Sequence, residues 1–98
     1  MSGRGKRSKA DLYATILEVI RRYPEGERIT RISYGVGVPV DRLKVMVDRL
    51  SSLGLVTKIA ADDDDKGGYY YSVTPRALEF LETYWKMKGF IDVFEGRP

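Results

Sequence analysis

The stretch ITRISYGVGVPVDRLKVMVDRLSSLGLV, residues 29–56, decides how the rest of the chain is organised. Its pattern predicts a short helix, a Gly-containing turn and a longer helix that closes at Gly54. Thr30 is the expected N-cap of the short helix, because its hydroxyl can accept from a free amide of the first turn. The turn is read at Gly35-Val36-Gly37, where glycine reaches backbone conformations that a side chain forbids. Pro39 suits the first position of the longer helix, since its missing N–H would be unpaired there anyway. Leu43, Met46, Val47, Leu50 and Leu53 then recur at three- and four-residue steps and mark one apolar stripe. Arg42, Lys44, Val45 and Arg49 fall on the other side. Gly54 stands just past the expected helix end, and Leu55-Val56 returns to the core.

A short helix, a tight turn and a second helix with a basic outer face make a helix-turn-helix signature. The same pattern also fits any two packed helices with solvated charges, so the flanking segments matter. Upstream, Leu12, Ile16, Val19, Ile20 and Tyr23 mark the buried face of a helix from Ser8 or Lys9 to about Arg22. Pro24-Glu25-Gly26 stops it, and Glu27 to Ile29 can add a short extended piece. Downstream, Leu55–Ala60 and Tyr69–Val73 are two β-prone runs joined by a polar, glycine-ended loop, which reads as a hairpin with a long tip. Helix, helix-turn-helix and hairpin is the winged-helix order, so the expected class is mainly α with a β-hairpin (α+β).

Thr74-Pro75 begins a last helix with a capping hydroxyl and a proline at the first position. Leu78, Leu81 and Trp85 share one face of it, expected to dock on the domain. Phe80, Tyr84, Met87, Ile91 and Phe94 follow the alternating steps of a coiled-coil seam, the expected interface of a homodimer. Gly89 weakens the helix, and a break there with the last residues folding back is the competing arrangement. The expected division is an arm over 1–8, a domain over 9–74 and a dimerisation helix with tail over 75–98.

Composition narrows the function. The 98 residues contain no Cys and no His, which removes disulfides, thiol chemistry and the usual zinc sites. Asn and Gln are also missing while charged residues reach 32%, a composition expected of a thermophilic source. No apolar run approaches the length that spans a bilayer, so a cytoplasmic, nucleoid-associated protein without a membrane is expected. The net charge of +3 is unevenly laid out. Arg4, Lys6, Arg7 and Lys9 crowd the start, whereas Asp62, Asp63, Asp64 and Asp65 form one acidic spot in the hairpin tip. No residue spacing suggests an enzyme, a run of aspartates in a loop does not preform a metal cage, and no cofactor or small-molecule ligand is evident.

The spacing Arg31-Ile32-x-Tyr34, Leu43, Leu50, Gly54-Leu55-Val56, then Tyr71-Ser72-Val73-Thr74-Pro75-Arg76 and an apolar C-terminal helix resembles the small archaeal winged-helix DNA-binding proteins. The resemblance covers roughly Asp11 to Phe94 and implies dimerisation through paired C-terminal helices in an antiparallel coiled coil. It departs at Ala77, where relatives often carry Gly, and at the aspartates, where a wing that follows the phosphate backbone would be basic.

The function expected is that of a dimeric transcriptional regulator or chromatin-type protein that binds double-stranded DNA with the helix from Pro39 to Leu53 in the major groove. Arg42 is the candidate for a guanine edge. Lys44, Arg49 and Arg31 are expected on phosphates, with Lys58 and the cations Arg4, Lys6, Arg7 and Lys9 adding to them. Asp41 and Asp48 temper the basic character of that helix. The alternative is a winged-helix module that binds protein within a larger assembly, favoured by the acidic tip. Deleting residues 1–8 should weaken binding to all duplexes alike. It should also flatten the dependence of log K on log salt by about 0.9 per lost phosphate contact; an unchanged slope would identify the arm as a solvated tail.

Overall fold

The structure, a computed structural model, describes residues 8–62 and 67–94. In order they form α1 (Lys9–Arg21), β1 (Glu27–Arg28), α2 (Ile29–Val36), α3 (Val40–Ser52), β2 (Val56–Ala60), β3 (Tyr69–Val73) and α4 (Pro75–Phe94). The strands make one antiparallel sheet in the order β1-β3-β2. The expected hairpin pairs Val56 with Val73 through to Ala60 with Tyr69. The short extended piece before the helix-turn-helix adds its third strand, with Glu27 opposite Tyr71 and Arg28 opposite Tyr70. The fold is therefore α+β, four helices against a small sheet.

Helix α1 is the pillar. Ser8 caps it, its hydroxyl accepting from the Asp11 amide at 3.0 Å, and Leu12, Ala14, Ile16, Leu17, Val19 and Ile20 are buried along it. Ile32 and Val36 of α2, Leu43, Met46, Val47 and Leu50 of α3, Tyr71 of β3 and Leu81 of α4 complete one core cluster around it. Fully burying an aliphatic side chain of this size contributes roughly 1.5–3 kcal/mol.

The helix-turn-helix forms with four local differences from the expected pattern. Thr30 lies inside α2 and is exposed; the flanking residue is Arg28, which makes no side-chain cap, and the Glu27 carboxylate instead accepts from the Arg28 amide. Gly35 and Val36 complete α2, so the turn rests on Gly37 alone, in the left-handed region at φ 82° with its amide donating to the Ser33 carbonyl. Pro39 flanks α3 as its N-cap rather than beginning it, because its extended ψ of 149° keeps it outside the helix. Leu53 ends α3 half-exposed, where the chain turns away at Gly54.

α4 begins as expected. The Thr74 hydroxyl accepts from the Ala77 amide at 3.2 Å and donates to the Gly54 carbonyl at 2.7 Å. Its docked face, however, is Ala77, Leu81 and Tyr84, all buried, not Leu78, Leu81 and Trp85. The small Ala77 lets α4 approach, and the next turn is held by Lys88 to Asp11 at 3.6 Å. Leu78 and Trp85 are left half-exposed beside that face, and Trp85 reaches α1 through its indole N–H, which donates to Glu18 at 2.8 Å. Tyr84, only 5% exposed, is thus part of the domain's own core rather than of an outer seam, and Phe80 packs partly against the same core. Met87, Phe90 and Phe94 remain exposed and Ile91 is half-buried. α4 continues through Gly89 to Phe94 with no break.

Gly35 has a packing reason that its place in α2 conceals. A Cβ there would stand 2.9 Å from Val19 Cγ1, so the glycine sets how closely α1 and α2 approach. Gly35→Ala should cost about 1–3 kcal/mol through overpacking, and adding Val19→Ala should recover part of the loss in thermal unfolding. Equal stability of Gly35→Ala and the natural chain would show that the contact relaxes freely.

Candidate nucleic-acid interface

Three elements meet on one side of the molecule: the outer face of α3, the start of α1 and the sheet's β2–β3 wing. With about 100° per residue around a helix, the buried Leu43, Met46, Val47 and Leu50 leave Asp41, Val45 and Asp48 pointing straight outward. Arg42 and Arg49 line the flank toward α1. There they join Lys9, Tyr13, Val45 and Met46 around a cleft of about 310 Å³ whose lining, among the described residues, holds no carboxylate. Lys44 lies on the opposite flank, toward the wing. It shares a cleft of about 340 Å³ with Arg28, Asp48, Lys58, Tyr69 and Tyr71.

The wing is tied to α3 by one ion pair. Lys58 Nζ on β2 stands 3.3 Å from Asp48 Oδ1 and 4.4 Å from the centre of the Tyr69 ring. The hydrogen bond to Asp48 raises the Lys58 pKa above its ordinary value, because it favours the charged ammonium. Burial raises that of Tyr71 beside it. On the other edge, the Arg28 guanidinium lies 4.8 Å over the Tyr70 ring and donates to the Gly67 carbonyl at 2.7 Å. Two cations thus brace the wing from both neighbouring strands.

The structure places Lys9, Arg42, Lys44, Arg49 and Lys58 on this one side. Arg42, Lys44 and Arg49 are exposed and make no ion pair among the described residues. Arg31, exposed on α2, is drawn toward Glu27 at 3.6 Å. Arg4, Lys6 and Arg7, with Asp63, Asp64 and Asp65, lie outside the described residues. Sequence reading missed Arg28 and the Asp48–Lys58 tie. The first reaches Gly67 from β1, which pairs with β3, and the second forms where α3 packs on β2; these contacts join residues 39 and 10 positions apart, and no local pattern reports them. Arg42, the expected base-edge candidate, sits on the flank of α3 that faces α1.

The contact to Asp48 is complete below the ordinary lysine range and is lost as pH rises through the raised Lys58 pKa. Asp48→Asn should bring the Lys58 titration down toward that of an ordinary lysine, followed by NMR at its Cε. An unchanged titration would mean that another group holds the ammonium.

The geometry has clear relatives. The winged helix-turn-helix family matches residues 6–91. No curated protein matches the sequence. Among solved structures, the chain is similar to the transcriptional repressor CouR bound to a 23-mer DNA duplex, with a TM-score of 0.67 and 20% identity over 83% of this chain and 54% of that one. It is similar to the transcriptional regulator PA3341 at a TM-score of 0.59 and 25% identity, over 78% of this chain and 53% of that one. The multiple antibiotic-resistance repressor MarR from Listeria monocytogenes aligns at 0.61 and 20% identity, over 87% of this chain and 58% of its own. The chain spans little more than half the length of each of these proteins. With the family match running over nearly its whole length, the chain belongs to the winged helix-turn-helix family.

Proposed function

We propose that the protein is a DNA-binding transcriptional regulator, not an enzyme, that acts as a homodimer and lays α3 in the major groove of duplex DNA. The observation that carries this reading is the arrangement of α3. Its outer face is open, and cations stand on both flanks, Arg42 and Arg49 with Lys9 on one side and Lys44 with the Asp48-paired Lys58 on the other. Two rows of cations on either side of a helix match the two phosphate strands that border a groove. The arm cations Arg4, Lys6 and Arg7 precede Lys9 in sequence and are proposed to add phosphate contacts of their own. Arg31 on α2 adds a further phosphate contact. The DNA-bound repressor of the same fold supports the reading. A thermophilic, archaeal regulator or chromatin-type protein of the cytoplasm fits the composition and the resemblance.

The dimer rests on α4. Phe80, Met87, Phe90, Ile91 and Phe94 lie on neighbouring sides of the helix, next to its docked face, and Phe94 is 81% exposed. Beside the strip lies a groove lined by Leu53, Leu55, Phe80 and Thr83 together with the charged Arg76 and Glu79, so a partner seated there also covers the half-exposed end of α3. A contiguous apolar strip of this kind is covered by a partner, and a second copy offers the same strip in return. Tyr84 takes no part, being committed to its own core.

Titration of a mixed-sequence duplex at several salt concentrations tests the function. Affinity should fall steeply with salt, and Arg42→Ala with Lys44→Ala and Arg49→Ala should remove about 0.9 of slope per lost contact. In sedimentation, the natural chain should be a dimer and Met87→Lys with Phe90→Lys a monomer. Absence of duplex binding at low salt would turn the reading toward a protein-binding module, and a monomeric natural chain would remove α4 as the interface.

A further inference from the structure

We infer that the base-reading residues are Asp41 and Val45, and that they select a cytosine beside a thymine, with Arg42 left to the phosphates. The inference rests on the DNA-binding reading and says which bases that reading entails. Along the centre line of the outer face of α3 stand Asp41, Val45 and Asp48, and these reach deepest when the helix enters a groove. Val45 is 69% exposed; a β-branched side chain there adds nothing to the core and favours the helix less than Ala or Leu would. Asp48 is already held by Lys58 at 3.3 Å. Asp41 is exposed, has no ion-pair partner among the described residues, and lies in the first turn of α3, the end of a recognition helix that meets the bases.

The chemistry of the groove decides what such a pair can recognise. A carboxylate only accepts hydrogen bonds. Cytosine offers an amino donor at N4, guanine offers two acceptors, and adenine sets an acceptor at N7 beside its amino group. Cytosine is therefore the base that Asp41 accepts without repulsion. Valine carries no polar atom and fits the thymine methyl. Four residues of helix rise about 6 Å, and base pairs stack every ~3.4 Å, so the two contacts fall within about two base pairs. The flanking cations offset the repulsion between Asp41 and the phosphates, which line the groove's borders rather than its floor.

Selection from a random duplex pool, with the full chain and three variants, tests this. All substitutions lie on the exposed face, and circular dichroism checks that each variant is folded. The natural chain should enrich a cytosine with a thymine within two positions. Asp41→Asn should move the cytosine position to adenine, because an amide pairs with N6 and N7 of adenine together. Replacing the thymine by uracil should weaken binding about fivefold or more for the natural chain, a loss on the scale of one mismatched pair, and much less for Val45→Ala. Arg42→Ala should weaken all duplexes alike and leave the selected bases unchanged. A selected guanine lost in Arg42→Ala, or a preference that Asp41→Asn leaves in place, would overturn the inference while DNA binding stands. Salt-dependent binding without any enriched sequence would overturn it equally. Binding to no duplex at all would overturn the DNA-binding reading and this inference with it.

Discussion

The burial of α1 is the constraint on which everything else depends. Ile16, Leu17 and Ile20 are entirely out of water, and α2, α3, β3 and α4 all pack against that helix. A domain of this size has one small core, so few side chains can be spared from it. Truncating one of these three to Ala would cost about 2–5 kcal/mol, a large share of the stability of an ordinary small domain. The same packing fixes the relative positions of α3, the wing and α4 around a single pillar. The outer face of α3 and the free strip of α4 are then the surfaces that remain.

Electrostatics on α3 follows from that placement. The inner half of the helix is committed to Leu43, Met46, Val47 and Leu50, which leaves every charge on the outer half. Those charges are sorted: cations on the two flanks and carboxylates along the middle. A helix that simply needed solubility has no reason to sort them so. The tie between Asp48 and Lys58 belongs to the same arrangement, since it joins the wing to α3 where β2 packs on that helix. An exposed pair of this kind adds little to stability. Its effect is on geometry, holding one wing cation at a set place beside the helix.

Much of this was legible in the residues. α1, the stripe of α3 and the hairpin each carry a clear period, and Gly37, Gly54 and Thr74-Pro75 mark their limits. The pairing of β1 was not legible as such, because two residues carry no period and their partner lies some forty positions away. The docked face of α4 lies one step from the expected one. Ala77 is too small to count in an apolar pattern, yet its size is what admits the docked face, and Tyr84 follows Ala77 into the core. Gly35 looked like part of a turn, whereas its lack of a side chain serves the contact with Val19. The candidate interface was legible as a set of cations on one helix. Which side of the helix each one takes depends on the neighbours of α3, and only the folded chain supplies those.

Backbone amide mapping by NMR tests the central claim most directly, because it reports where a duplex touches without relying on any substitution. On adding a short duplex at low salt, the amides of residues 41–49, together with those of Lys9 and Lys58, should shift, while those of the α1 interior stay in place. Shifts confined to α4, or no shifts at all, would contradict the account.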